Sequence, residues 1–167
     1  MLNLNLKEII IMNKNDELIK DLKDLVFALS KQVLSRSIQC KIFKNDGFLK
    51  LAEKYEGHLK EEREYLDRTI EEIINLGGEF NLDESNIDTK EYAIFKDPVK
   101  YLEHEKEISE NGLAYLKEII NKAKEEFSTY DFLISYYKDE EEDLSWTESQ
   151  LNLIRKIGEQ NWLAKYI

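Results

Sequence analysis

Residues 79–96 read EFNLDESNIDTKEYAIFK, a polar and irregular run between two long amphipathic stretches, and this run decides the topology. Loops of such length inside a compact domain are uncommon and have a geometric task. A 30-residue helix is about 45 Å long, and roughly 18 extended residues reach about 60 Å, so the run can travel the full length of a bundle. The helices it joins can then lie parallel. The expected architecture is all-α: two helical hairpins connected by one long crossover, in place of an up-down-up-down bundle.

Working outward, Gly77 and Gly78 close the preceding helix as C-terminal glycines do, and the turn KNDG at 44–47 separates it from a first helix over about 15–44. Apolar residues return at helical spacing along that first helix: Leu18, Leu22, Leu25, Val26, Leu29, Val33, Ile38 and Phe43. Downstream, Asp97 followed by Pro98 is a specific start signal for a third helix, which runs to about Glu126. STYD at 128–131 reads as a capping box that opens a fourth helix, and EQNWLAKYI beyond Gly158 makes a short fifth. The domain spans 15–167, behind an N-terminal extension of residues 1–14.

The chain has 167 residues, one domain's worth, with 24 Lys and Arg against 35 Asp and Glu, and its net charge of −11 repels nucleic acid and anionic lipid. Cys40 stands alone, so no internal disulfide and no paired-thiolate metal site is available. No apolar run is long enough for a membrane span or a signal peptide, and a reducing cytoplasm fits. One proline and six glycines in a chain that is 35% charged and 42% hydrophobic favour long helices.

Acids that fall inside an apolar stripe are the informative exceptions to helical patterning. By helical phase Glu62 shares a face with Leu51, Tyr55, Leu59, Leu66 and Ile73, while Glu61, Arg63 and Glu64 point outward. Glu105 lies in the stripe of Tyr101, Leu102, Ile108 and Leu116, with Glu107 turned to solvent. Glu140 shares a face with Leu133, Tyr136 and Leu151, and Asp143 sits about 60° around from it. Converging buried carboxylates demand a compensating cation or protonation. A hard metal ion is the economical answer, and oxygen-rich donors suit Fe²⁺, Mn²⁺, Ca²⁺ or Mg²⁺. The bland alternative is that acids near a stripe snorkel outward.

At these residues the sequence resembles the ferritin and bacterioferritin family. KDEEEDLSWTESQLNLIRKIGEQNWLAKYI (138–167) is similar to that family's fourth helix and tail, HEKEIS (104–109) to its third helix, EEREYLDRTIEEIINLGG (61–78) to its second, and KNDGFLKLAEK (44–54) to the preceding turn. The resemblance implies a ferritin-like four-helix bundle, a homo-oligomeric shell and an iron-binding role in storage or homeostasis. It also implies a di-iron centre made by one first-helix Glu, Glu-x-x-His on helix two, one third-helix Glu and an acid or amide pair on helix four. Carried across, Glu62, Glu105, Glu140 and Asp143 match metal ligands. Tyr65 stands at the histidine position, where a phenolate can still ligate Fe³⁺, and Leu29 stands where the first-helix glutamate belongs. Both departures strip one metal position. One ion is then expected, with ferroxidase turnover weak or absent.

His58, one turn before Glu62, is a substitute imidazole donor or a satisfied histidine, and His104 is read as a hydrogen-bonding neighbour of the site. Haem is not expected, because Arg63 stands at the family's methionine position and Met1 and Met12 are the only methionines. The competing expectation is a catalytically silent structural or partner-binding bundle without metal. A redox enzyme of the rubrerythrin or mini-ferritin type is disfavoured by the missing histidine, the missing cysteines and the acidic N-terminus.

Overall fold

The computed structural model describes residues 6–81 and 93–167, with side chains from Asn15 onward. The middle of the crossover, 82–92, and residues 1–5 of the N-terminal extension lie outside the described residues. Four long helices and one short one follow: α1 (Leu6–Asn45), α2 (Leu49–Asn75), α3 (Pro98–Lys122), α4 (Phe127–Ile157) and α5 (Glu159–Leu163), with a 3₁₀ turn at Ala123–Glu125 between α3 and α4.

The topology follows from which ends meet. Asp21, early in α1, accepts from Lys122 at the end of α3, while Arg36, later in α1, pairs with Glu105 near the start of α3, so α1 and α3 run antiparallel. Glu72, late in α2, meets Thr129 at the start of α4, and His58 meets Asp143 further along, so α2 and α4 are antiparallel too. With the two hairpins α1/α2 and α3/α4, this makes α2 and α3 parallel, as the length of the crossover predicts. Its last described stretch is fastened by a two-way bond: Gln39 donates to the Phe95 carbonyl at 2.7 Å and accepts from the Phe95 amide at 3.0 Å.

Local signals are mostly obeyed. Asp97 caps α3, its carboxylate accepting from the amides of Val99 at 2.9 Å and Lys100 at 3.2 Å, with Pro98 behind it. Gly78 is needed for packing, because a Cβ there would sit 2.7 Å from the Ile73 side chain and 2.8 Å from Ile19. Gly158 ends α4 at φ +81°, where side chains are disfavoured, and lets α5 fold back. There Trp162 is fully buried, and its indole N–H and the Tyr166 hydroxyl both donate to the Gln150 amide oxygen, at 3.1 and 2.8 Å.

Four expectations are corrected. Helix α1 begins at Leu6, ahead of Asn15, and α3 ends at Lys122, where the 3₁₀ turn takes over. Helix α4 begins at Phe127 with no side-chain cap, so Ser128 lies inside the helix and its hydroxyl is drawn instead to Glu72 at 3.2 Å. Ile38 is exposed, because the buried face of α1 passes through Arg36, Gln39 and Cys40 in that turn.

The core is divided. One apolar cluster gathers Leu18, Leu22, Leu25, Leu29, Ile73, Leu116, Ile119 and Leu133. The other, at the α5 end, gathers Phe43, Leu51, Tyr55, Tyr101, Leu102, Leu151 and Trp162. Between them lies a layer of buried charge.

Candidate functional site

Arg36 is the hub of that layer. It projects from α1 only 5% exposed, with one guanidinium nitrogen, Nη1, on the Glu62 carboxylate of α2 and the other, Nη2, on Glu105 of α3. Burial disfavours its charge, but Glu105 and Glu62 outweigh that and hold its pKa well above the ordinary value. The guanidinium also lies over the Tyr55 ring, 5.7 Å from its centre.

The carboxylates show the cost of crowding. Burial pushes Glu62 up to about 8, against the pull of Arg36 and with Glu105 and Glu140 adding like charge. Burial likewise pushes Glu140 up to about 7, again opposed by Arg36 and assisted by Asp143 and Glu105. Two acids from two helices therefore share one arginine in the field of a third from α4, and at neutral pH the layer holds protons as well as charge.

Asp143 turns to a different partner. It accepts from His58 Nδ1 at 2.9 Å and lies 3.9 Å from Lys54. His58 is itself buried, packed against Tyr55 and Trp146, and its Nε2 has no hydrogen-bond partner. His104 packs on Phe95 with its ring centre 5.1 Å away, and its buried Nε2 is also without a partner. Tyr65 stands apart, its hydroxyl bonded to the exposed Asp139 and its ring stacked on Tyr136 at 4.2 Å. Burial and Asp139 raise its pKa, so it remains a phenol. Burial also pushes the Cys40 thiol up to about 11, which withholds a thiolate at neutral pH.

Helical phase thus sorts buried acids from exposed ones. Glu62 is buried, Glu105 and Glu140 are mostly buried, and Glu61, Arg63, Glu64, Glu107, Asp139, Glu141 and Glu142 are exposed as expected. What phase reasoning on acids leaves out is the basic residue among them. Arg36 lies seven residues after Leu29 and seven before Phe43, two helical turns from each, and so shares their stripe. The same oversight covers Glu72, which is 1% exposed one residue before Ile73.

A cavity of about 530 Å³ opens between α1 and α3. It is lined by Leu29 and Gln32 on one side and His104 and Gly112 on the other, with Glu140 reaching it from α4 and the exposed Glu107 at its rim.

The comparisons with known proteins agree with this architecture. A family model described as a ferritin-like domain matches residues 16–157. The chain belongs to the ferritin-like family. It is similar to the bacterial ferritin of Neisseria meningitidis serogroup B, with 28% identity over 75% of this chain and 80% of that protein, and to the bacterial ferritin of Neisseria gonorrhoeae at the same values. The bacterial ferritin of Pseudomonas aeruginosa is 26% identical over 78% of this chain and 83% of its own.

That kinship poses a test of fit for iron. A two-ion centre would need donors at Leu29 and Tyr65, where the chain offers an alkyl group and a phenol already engaged by Asp139. Of the remaining carboxylates, Glu62 and Glu105 hold Arg36 and Asp143 holds His58. Among the described residues no three His, Cys, Asp or Glu side chains are grouped to hold a metal ion. As arranged, the donor set does not fit a resident di-metal centre. Among the same residues no helix is long and apolar enough to cross a membrane.

Proposed function

We propose that this chain is a subunit of a homo-oligomeric, cytoplasmic ferritin-like shell that serves iron storage and homeostasis, with ferroxidase turnover within the subunit weak or absent. The observation that carries this reading is the meeting of Glu62 and Glu105 at Arg36, in the field of Glu140, at the middle of a ferritin-like bundle whose fourth side presents Leu29. Family membership and likeness to bacterial ferritins support iron as cargo, and the net charge of −11 favours attraction of Fe²⁺. Iron is here what the assembly takes up; no step depends on a resident ion.

The test pairs solution mass with iron content after aerobic addition of Fe²⁺. A large assembly that accumulates ferric mineral slowly is the expected result. A species of monomer or dimer mass that keeps less than one iron per subunit overturns the reading.

Arg36 also favours a second reading, the silent structural or partner-binding bundle, since it already neutralises charge that a metal would otherwise compensate. The two separate by melting: an assembly with metal bound to its folded state melts higher with metal and lower after chelation, whereas the silent bundle responds to neither.

A further inference from the structure

We propose that Arg36 is a tethered counter-ion that takes the place of a divalent cation between Glu62 and Glu105, so that the bundle centre is closed to metal by occupancy and its removal turns the same carboxylates into a divalent-cation site. The inference does not rest on the iron-storage reading. It rests on where this guanidinium sits and on how the rest of the layer is arranged.

Three observations converge. The guanidinium makes separate contacts with the two carboxylates through separate nitrogens, as a bridging cation would. It cannot leave by losing its proton, because an arginine remains charged in proteins, so an incoming ion competes with a covalently attached one. Its attachment is reinforced by the Tyr55 ring beneath it.

Access is not the barrier. The cavity between α1 and α3 reaches Glu140 from a rim that includes Glu107 and Asn111, both exposed, so a hydrated ion can approach the layer from outside. What it meets is a set of carboxylates whose shared cation is already in place. Without Arg36, Glu62 and Glu105 would be left with no shared positive charge and with Glu140 adding like charge nearby, and a divalent ion with oxygen preference is the partner their chemistry selects.

The experiment counts bound Mn²⁺ by electron paramagnetic resonance in the full-length chain, comparing wild type, Glu62→Gln, Arg36→Ala, Arg36→Ala with Glu62→Gln, and Arg36→Lys. Surface acids bind Mn²⁺ weakly in every variant, so the readout is the part that disappears with Glu62→Gln. The expected result is no such part in wild type or Arg36→Lys, and one ion per subunit in Arg36→Ala, held at least about tenfold more tightly than any surface ion. A Glu62-dependent ion in wild type overturns the proposal, as does a folded Arg36→Ala that gains none. If Arg36→Ala fails to fold in chelator, refolding with Mn²⁺ decides: recovery supports the proposal and failure with the ion overturns it. Because the readout involves neither oxygen nor mineral, its failure is distinct from failure of the storage reading.

Discussion

Helix α2 buries two glutamates to nearly the same depth, Glu62 at 2% and Glu72 at 1% exposure, and surrounds them in opposite ways. Glu72 is served by donors alone. Arg68, one turn earlier on the same helix, reaches it at 2.9 and 3.0 Å, and the hydroxyls of Thr129 and Ser128 donate at 2.8 and 3.2 Å from the start of α4. Glu62 shares Arg36 with Glu105, in the field of Glu140. The first arrangement is a clamp between α2 and α4, in which each carboxylate oxygen finds a donor. The second is a crowd of like charge held by one cation. A buried acid is thus no guide to function until its neighbours are counted; competition for a cation, and not burial, marks the layer around Arg36.

The contrast can be broken most forcefully at the clamp. Glu72→Ala removes charged hydrogen bonds and strands the hydroxyls of Thr129 and Ser128, so it should cost about 3 kcal/mol in urea unfolding. Glu62→Gln at pH 8 should cost less than Glu72→Gln, because it relieves repulsion while it weakens the pair with Arg36. Equal costs would erase the distinction drawn here.

A smaller effect appears in the pH dependence. A carboxyl with a raised folded-state pKa keeps a proton in the native protein that the unfolded chain has released. Between the ordinary value of 4.5 and about 8 for Glu62, or about 7 for Glu140, stability from these two groups therefore falls as pH rises. The decline should fall between pH 5 and 8, and Glu62→Gln should flatten it. Denaturant midpoints across that range check the sign. The smallest expected change is Tyr65→Phe, which gives up the bond to Asp139 and keeps the stack on Tyr136, for a loss of about 1 kcal/mol by the same unfolding measurement and no change in metal content.

Much of this was legible in the sequence because it is local. Asp97 and Pro98 announce the start of α3, Gly77 and Gly158 announce ends, and the length of 79–96 fixes which helices run parallel. Glu62, Glu105 and Glu140 emerge from a single rule, that an acid in an apolar stripe is out of place. The identity of their compensating cation was harder to read, because a long basic side chain in a stripe is ordinarily taken to reach out to water. Arg36 lies in phase with Leu29 and Phe43, but only the approach of α2 and α3 makes it an interior charge. Glu72 escaped for a related reason: its partners Thr129 and Ser128 come from another helix, and the same Ser128 had a plausible local role as a cap.

The layer that splits the core also acts as an axial key. Apolar ridges tolerate sliding, since one leucine fits a groove much as the next does. Moving α1 by a single turn, about 5.4 Å, would instead set an alkyl or amide side chain against Glu62 and Glu105 and carry Arg36 into hydrocarbon. One guanidinium gripping two neighbouring rods therefore leaves the hairpins a single depth at which to dock, whatever else the assembled protein holds.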